Sequence, residues 1–175
     1  MSEDVGYRDR ALLPRLGVVA PKGPVLLDSN VLINALTGRG PPALKALLAN
    51  LPLSFVSGPT IAELSWPRGR LDPAHPDTAR VLKALDAALA QVDPAKILVP
   101  TAAHWAQAGT LAGRAARAVA GSVKSVRTAF DRTELINDAL TATVALAAGA
   151  TVVTRDGDFD LFQQLEPALD ILFYD

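Results

Sequence analysis

The sequence predicts an α/β fold in which short parallel strands alternate with helices. Three observations predict it. Five short apolar-rich runs have the length and composition of buried strands: Val25-Leu26-Leu27, Leu53-Ser54-Phe55-Val56-Ser57, Ile97-Leu98-Val99, Thr151-Val152-Val153 and Ile171-Leu172-Phe173. Segments with apolar residues at helical spacing lie between them, and strands alternating with helices give a parallel sheet. The chain has 175 residues, 50% of them hydrophobic, which suffices for one domain with a real core.

In chain order, residues 1–24 read as an N-terminal arm and 25–175 as the domain. Charges dominate the arm to Arg10; Pro14 and Gly17 then break up its apolar residues. After the first strand, Asp28, Ser29 and Asn30 are all good helix N-caps, and Val31, Leu32, Ile33 and Leu36 resume at helix-compatible spacing. Gly38-Arg39-Gly40-Pro41-Pro42 is a loop without the Lys-Ser/Thr of a phosphate-binding loop. Pro42 suits a first helical turn, and Leu44, Leu47, Leu48 and Leu51 form one face. Gly58-Pro59-Thr60 opens a short helix that Pro67 is expected to stop, with a loop over 68–76. Val81, Leu82, Leu85, Ala88 and Leu89 mark the next helix, and Thr101 caps the one after it. Gly121 is expected to end or bend that helix, with a second helical piece over 122–130. Thr133 is the expected cap of a helix over 134–148, closed by Gly149. Thr154-Arg155-Asp156-Gly157-Asp158-Phe159 is the loop at the carboxyl end of the fourth strand, and a helical turn over 161–165 precedes the last strand.

Composition narrows the chemistry. A net charge of -1 carries no message about nucleic acid or membrane. With no cysteine, disulfide scaffolds and thiolate metal sites are excluded. Two histidines, His75 and His104, are too few for a His-rich zinc site; both read as surface or satisfied residues, which sets aside a two-histidine nuclease mechanism. Any divalent metal must then be held by oxygen, which selects Mg²⁺ or Mn²⁺. The start, Ser2-Glu3-Asp4, does not read as a signal peptide, and the most apolar stretch, 139–153, is shorter than a membrane span. A cytoplasmic protein with no membrane partner is expected.

Carboxylates are the informative residues. Asp28 ends the first strand, Glu63 lies about one turn beyond the second, Asp138 precedes the fourth and Asp156 follows it, with Asp158 a further candidate. Ligands of open α/β sheets sit outside the carboxyl ends of the strands. Each acid has a plainer explanation: an N-cap for Asp28, a solvated position for Glu63, a helix-dipole contact for Asp138, a turn for Asp156 and Asp158. Their common placement at one sheet edge outweighs these. Clustered carboxylates raise each other's pKa values unless a cation sits between them, and Mg²⁺ or Mn²⁺ would also assist attack on a phosphodiester. Ser29, Asn30 and Thr154 are expected to support the site. Arg114, Arg117, Lys124 and Arg127 form a basic run that could hold phosphates or be a solvated helix face. Trp66 and Trp105 read as core residues.

Four segments together resemble PIN-domain ribonucleases of the VapC type, the toxins of toxin–antitoxin pairs. They are Leu26-Leu27-Asp28-Ser29-Asn30-Val31-Leu32-Ile33, Ala62-Glu63-Leu64, Asn137-Asp138-Ala139-Leu140 and Val152-Val153-Thr154-Arg155-Asp156-Gly157-Asp158-Phe159. The resemblance implies a three-layer fold, a central five-stranded parallel sheet flanked by helices. It implies Mg²⁺- or Mn²⁺-dependent endoribonuclease activity through Asp28, Glu63, Asp138 and Asp156, leaving a 5′-phosphate and a 3′-hydroxyl. It also implies a homodimer inhibited by a small DNA-binding antitoxin. The arm, the long stretch 121–132 and the threonines at 141 and 143 depart from the family pattern. Two other readings compete. A phosphohydrolase with Asp28 as nucleophile needs a second Asp where Asn30 stands. A catalytically inactive PIN-like fold could act as an RNA-binding or scaffolding module.

Overall fold

The structure, a computed structural model, describes residues 5–51, 53–120, 126 and 128–175. The elements run β1 (Val25–Leu27), α1 (Ser29–Thr37), α2 (Pro42–Ala49), β2 (Ser54–Ser57), α3 (Gly58–Arg70), α4 (Thr78–Leu89), β3 (Ile97–Leu98), α5 (Ala102–Ala118), α6 (Ala129–Ala147), β4 (Thr151–Thr154), α7 (Asp158–Leu165) and β5 (Ile171–Phe173). All strand pairs are parallel, in the order β3-β2-β1-β4-β5. This is the expected α/β fold.

The strand order positions the site. β1 is central, and Leu26 pairs with Phe55 on one side and Val152 on the other. The chain builds outward through β2 and β3, then crosses to the opposite side of β1 for β4. That reversal opens a crevice at the carboxyl ends of β1 and β4, where ligands of such sheets bind. Side chains alternate between the two faces. Leu26 and Val152 pack with Ala108, Ala112, Ala139 and Ala142 of the close-packed α5 and α6. Val25, Leu27 and Val153 pack with Val31 and Leu44 on the other face.

Several boundaries differ from the sequence reading. α3 does not stop at Pro67 but continues to Arg70. A mid-helix proline removes one N–H, here the donor that would reach the Glu63 carbonyl; on this exposed face the helix continues past the loss. α6 begins at Ala129, not after Thr133: Thr128 caps it in a reciprocal pair with Asp131, and the Thr133 hydroxyl donates to the Ala129 carbonyl. Asp138 therefore sits in the third turn, beyond the reach of the helix-end dipole that was its plainer explanation. The expected bend at Gly121 lies outside the described residues, and Ala129 and Phe130 belong to α6. Trp66 and Trp105 are not core: they are 64% and 53% exposed. Trp66 lies two residues, some 200° around the helix, from the buried Leu64. Trp105 lies in the first turn of α5, ahead of the buried stripe that begins at Ala108. Both histidines serve local caps: His75 Nδ1 accepts from the Asp77 amide and His104 Nδ1 from the Thr101 amide.

Residues 5–16 are built onto the sheet. The Leu16 amide donates to the Phe173 carbonyl and the Phe173 amide to the Pro14 carbonyl, both at 2.8 Å. Leu13 is buried in the core of the α5–α6 face. The Tyr7 hydroxyl donates to Asp158 at 2.6 Å, and Arg8 binds Asp160 through its backbone amide at 2.8 Å and its Nε at 2.6 Å. The Asp160 side chain is only 2% exposed, against 36% for Arg8. A buried carboxylate that loses its partner retains its desolvation cost. Arg8→Ala is thus expected to lower the unfolding free energy by about 2 kcal/mol, the pair being half-exposed on the arginine side. Adding Asp160→Asn should recover part of it. Urea denaturation of the three proteins checks this; a change within about 0.5 kcal/mol, as for an ordinary surface site, would show the pair to be inert.

Candidate functional site

Asp28 follows β1 directly and is 4% exposed. One carboxylate oxygen accepts from the Ser29 amide at 2.7 Å, capping α1. The other accepts from the Thr154 hydroxyl at 2.6 Å and from Asn30 Nδ2. Thr154, fully buried at the end of β4, also accepts the Asp156 amide at 2.9 Å. Asn30 is oriented in turn: its Oδ1 accepts from the Tyr174 hydroxyl at 2.7 Å and the Arg155 amide at 3.3 Å. Asn34 Nδ2 donates to the Tyr174 oxygen at 2.9 Å. Ser29, Asn30 and Thr154 thus surround Asp28 as the sequence suggested. Tyr174 was not legible in advance, because it reaches Asn30 only through the docking of β5.

The other acids approach from three directions. Burial pushes the Asp28 carboxyl up to about 6; the Thr154 and Ser29 hydrogen bonds oppose this, and Glu63 and Asp156 add to it. Asp138, half-buried on α6, is held well above the usual carboxylate range by burial and then by Asp156, Asp28, Glu63 and Asp158. Glu63 on α3 and Asp156 after β4 are exposed at the rim. All four expected carboxylates, with Asp158, lie within mutual electrostatic reach. Glu134 joins them: burial, then Asp131, Asp156, Glu63 and Asp158, raise it too. Its signal in the sequence was the i,i+4 spacing to Asp138, which puts both on one helix face.

A second network sets α3 against α6. Ser57 Oγ lies 2.9 Å from both Thr60 Oγ1 and Thr141 Oγ1 and accepts the Thr60 amide at 3.2 Å. Ser57 and Thr60 are fully buried and Thr141 nearly so. Thr60 is three residues before Glu63 and Thr141 three after Asp138, so this hydroxyl cluster fixes the two acids' helices in register. Thr141, a departure from the family pattern in the sequence, acquires a reason here.

Of the basic run, Arg114 does not stand at the acids. Arg114 binds Glu166 at 2.8 Å and the Leu165 carbonyl at 3.3 Å, at the end of α7 away from Asp158. Eight helical residues span about 12 Å, so Arg114 is removed from the acidic end. Arg117 is exposed on α5; Lys124 and Arg127 lie outside the described residues.

The donor set fits a hard divalent cation: it is all oxygen, and burial and crowding hold Asp28 and Asp138 above their ordinary range, a repulsion that added positive charge relieves. Among the described residues, no three His, Cys, Asp or Glu side chains are drawn close enough together to hold a metal ion. The carboxylates face one another at electrostatic distance, short of a formed chelate.

Residues 25–164 match the profile of the PIN domain family. No curated protein sequence matches the chain. A chain of VapBC2 from Rickettsia felis, bound to a DNA fragment from its promoter, is similar with a TM-score of 0.55 and 19% identity, over 87% of this chain and 100% of that one. FitAcB from Neisseria gonorrhoeae gives 0.57 and 24%, over 85% and 96%. VapBC-1 from nontypeable Haemophilus influenzae gives 0.50 and 20%, over 87% and 98%. At these identities the likeness is one of fold.

The carboxyl shifts carry a sign. A folded-state pKa of about 6 for Asp28 exceeds its ordinary 3.8, so the folded protein holds this proton longer than the unfolded chain. Its contribution to stability is complete below pH 4 and is lost as pH rises through about 6. The loss is ~3 kcal/mol for such a shift. Asp138 acts in the same direction. In EDTA, denaturation between pH 4 and 7.5 should show Asp28→Asn losing less stability than the wild type by about that amount. Parallel pH profiles for the two proteins would contradict the buried, like-charged environment of Asp28.

Proposed function

The chain belongs to the PIN domain family, and from that premise we propose that it is a Mg²⁺- or Mn²⁺-dependent endoribonuclease, the toxin of a VapC-type toxin–antitoxin pair. The observation that carries the proposal is the convergence of Asp28, Glu63, Asp138 and Asp156 at the carboxyl ends of β1 and β4, with two of the carboxyls pushed above their ordinary range. PIN domains are generally nucleases, and no other site among the described residues assembles comparable chemistry.

Asp28, Asp138, Asp156 and Glu63 would hold the ion, with Asp158 and Glu134 beside them. When bound, a divalent ion supplies Lewis acidity toward the phosphoryl oxygen and the attacking water. The chain's own groups do the positioning. Ser29 and Thr154 fix both oxygens of Asp28, leaving that carboxylate one orientation. Thr154 also anchors the Asp156 amide, so the loop bearing Asp156 is set by the same hydroxyl that sets Asp28. Asn30, keyed by Tyr174, closes the back of the site. Glu63 and Asp156, exposed, face the approaching RNA, and Arg117 is available on α5 to bind its backbone. In this reading the partners are RNA, a second copy of the chain and a small DNA-binding antitoxin, and the setting is the cytoplasm. Likeness to VapBC2 and FitAcB chains supports the antitoxin partner. No helix among the described residues is long and apolar enough to cross a membrane.

One observation favours the second reading, an inactive RNA-binding or scaffolding module: the acids stop short of a chelating group. Activity separates the two. Highly purified protein should cleave single-stranded RNA with Mn²⁺ or Mg²⁺ and not with EDTA. Asp138→Asn should lower the rate by about a hundredfold or more, since even indirect support of a metal site is worth 10- to 100-fold. In the wild type, Mn²⁺ at about ten times its dissociation constant should add about 1.4 kcal/mol of stability, which the variant largely lacks. Cleavage undiminished in EDTA would end the metal mechanism. RNA binding without cleavage under any metal would establish the module instead.

A further inference from the structure

The N-terminal arm carries a feature that the family match, which begins at residue 25, does not include. Tyr7, Arg8 and Arg10 cross the loop after β4. Arg10 Nη2 donates to the Arg155 carbonyl at 2.5 Å, the oxygen of the peptide that joins Arg155 to Asp156. Its guanidinium therefore lies within one residue of Asp156 and of Thr154, the partner of Asp28. The backbone of Arg10 is itself held, since Arg15 donates to its carbonyl at 3.3 Å. Arg155 supplies a second guanidinium at the same strand end: its amide is fixed on Asn30, and its charge acts on Tyr174.

The pairing of these cations sets them apart from their neighbours. Arg8 is committed to Asp160, Arg15 to Asp175 and Arg114 to Glu166. Arg10 and Arg155 are exposed, and among the described residues neither forms an ion pair, although a group of carboxylates is close by. The bond to the Arg155 carbonyl uses one of the five N–H donors of Arg10 and leaves the rest of its planar fork. Such forks bind phosphate bidentately. An acidic cluster repels a polyanion, so a strand that reaches it needs positive charge beside the acids.

We propose that Arg10 of the N-terminal arm and Arg155 form a phosphate clamp that binds the RNA backbone beside the acidic site, making the arm one wall of the substrate groove. This rests on the ribonuclease reading for its substrate class, and it replaces Arg114 as the main basic contact. Tyr7 and Arg8, tied to Asp158 and Asp160, are the tether that keeps the clamp in place.

The test separates binding from cleavage. The probe is a fluorescein-labelled, mixed-sequence, single-stranded 20-mer RNA, titrated by anisotropy in EDTA over a series of salt concentrations. Each lost phosphate contact should lower the slope of log K against log salt by about 0.7, so Arg10→Ala with Arg155→Ala should lose about 1.4. Arg155→Ala alone, which leaves every described hydrogen bond of the loop backbone in place, should lose about half of that. Arg10→Lys should keep the slope, since the charge remains, while binding more weakly for want of the fork. With Mn²⁺, the double variant should raise KM several-fold with kcat little changed, and Mn²⁺ should stabilise it as much as the wild type. Unchanged slope and KM in both Arg155→Ala and the double variant overturn the clamp even if the wild type cleaves RNA. A clamp-dependent slope in a protein that never cleaves overturns the nuclease reading alone. Failure of the wild type to bind the RNA overturns the clamp.

Discussion

Crowding of negative charge at the carboxyl ends of β1 and β4 is the constraint to which the rest of the structure answers. Asp28 is almost wholly out of solvent, and Asp138 faces it from α6. Among the described residues no cation pairs with Asp28, Glu63 or Asp138. Hydroxyls and amides are supplied to Asp28 instead, from Thr154, Ser29 and Asn30. Neutral donors orient a carboxylate without cancelling its charge. An arginine there would have stabilised the folded chain and filled the place of the proposed metal ion.

The frame around this charge is stiff where it matters. The buried hydroxyls of Ser57, Thr60 and Thr141 join the start of α3 to the middle of α6, one turn from Glu63 and one from Asp138. Hydroxyls suit this place because each both donates and accepts, so three of them satisfy one another without a charge. The sheet contributes its own precision: Leu27 pairs with Val56 and Val153 together, so the ends of β1, β2 and β4 lie level.

Much of this was legible in the chain, and the rest was hidden for physical reasons. Strand positions, the Asp28 cap and the Gly149 turn depend on local chemistry and could be read from it. So could the convergence of the acids, since strand–helix alternation dictates which ends of the strands meet. The start of α6 is ambiguous in the sequence because Thr128 and Thr133 are both competent caps, and only the reciprocal bond from Asp131 decides between them. Pro67 does not end α3, because the carbonyl it orphans lies on an exposed helix face. Tyr174, Thr141 and the arm contacts join residues more than 80 positions apart, and no local pattern announces such pairs. Arg114 looked like one of a basic run until α7 placed Glu166 against it.

The backbone bonds between Pro14–Leu16 and Phe173 also bear on where the chain can be cut. β5 is the last strand of the sheet, and these bonds occupy the outward amide and carbonyl of Phe173. A fragment starting at residue 25, where the family profile begins, would leave them open beside the buried face of Ile171 and Phe173. An unpaired, apolar strand margin is a template for pairing with other chains. Such a fragment would meet copies of itself edge to edge, and its self-association would reflect the missing cover, saying nothing about the assembly of the chain that keeps its arm.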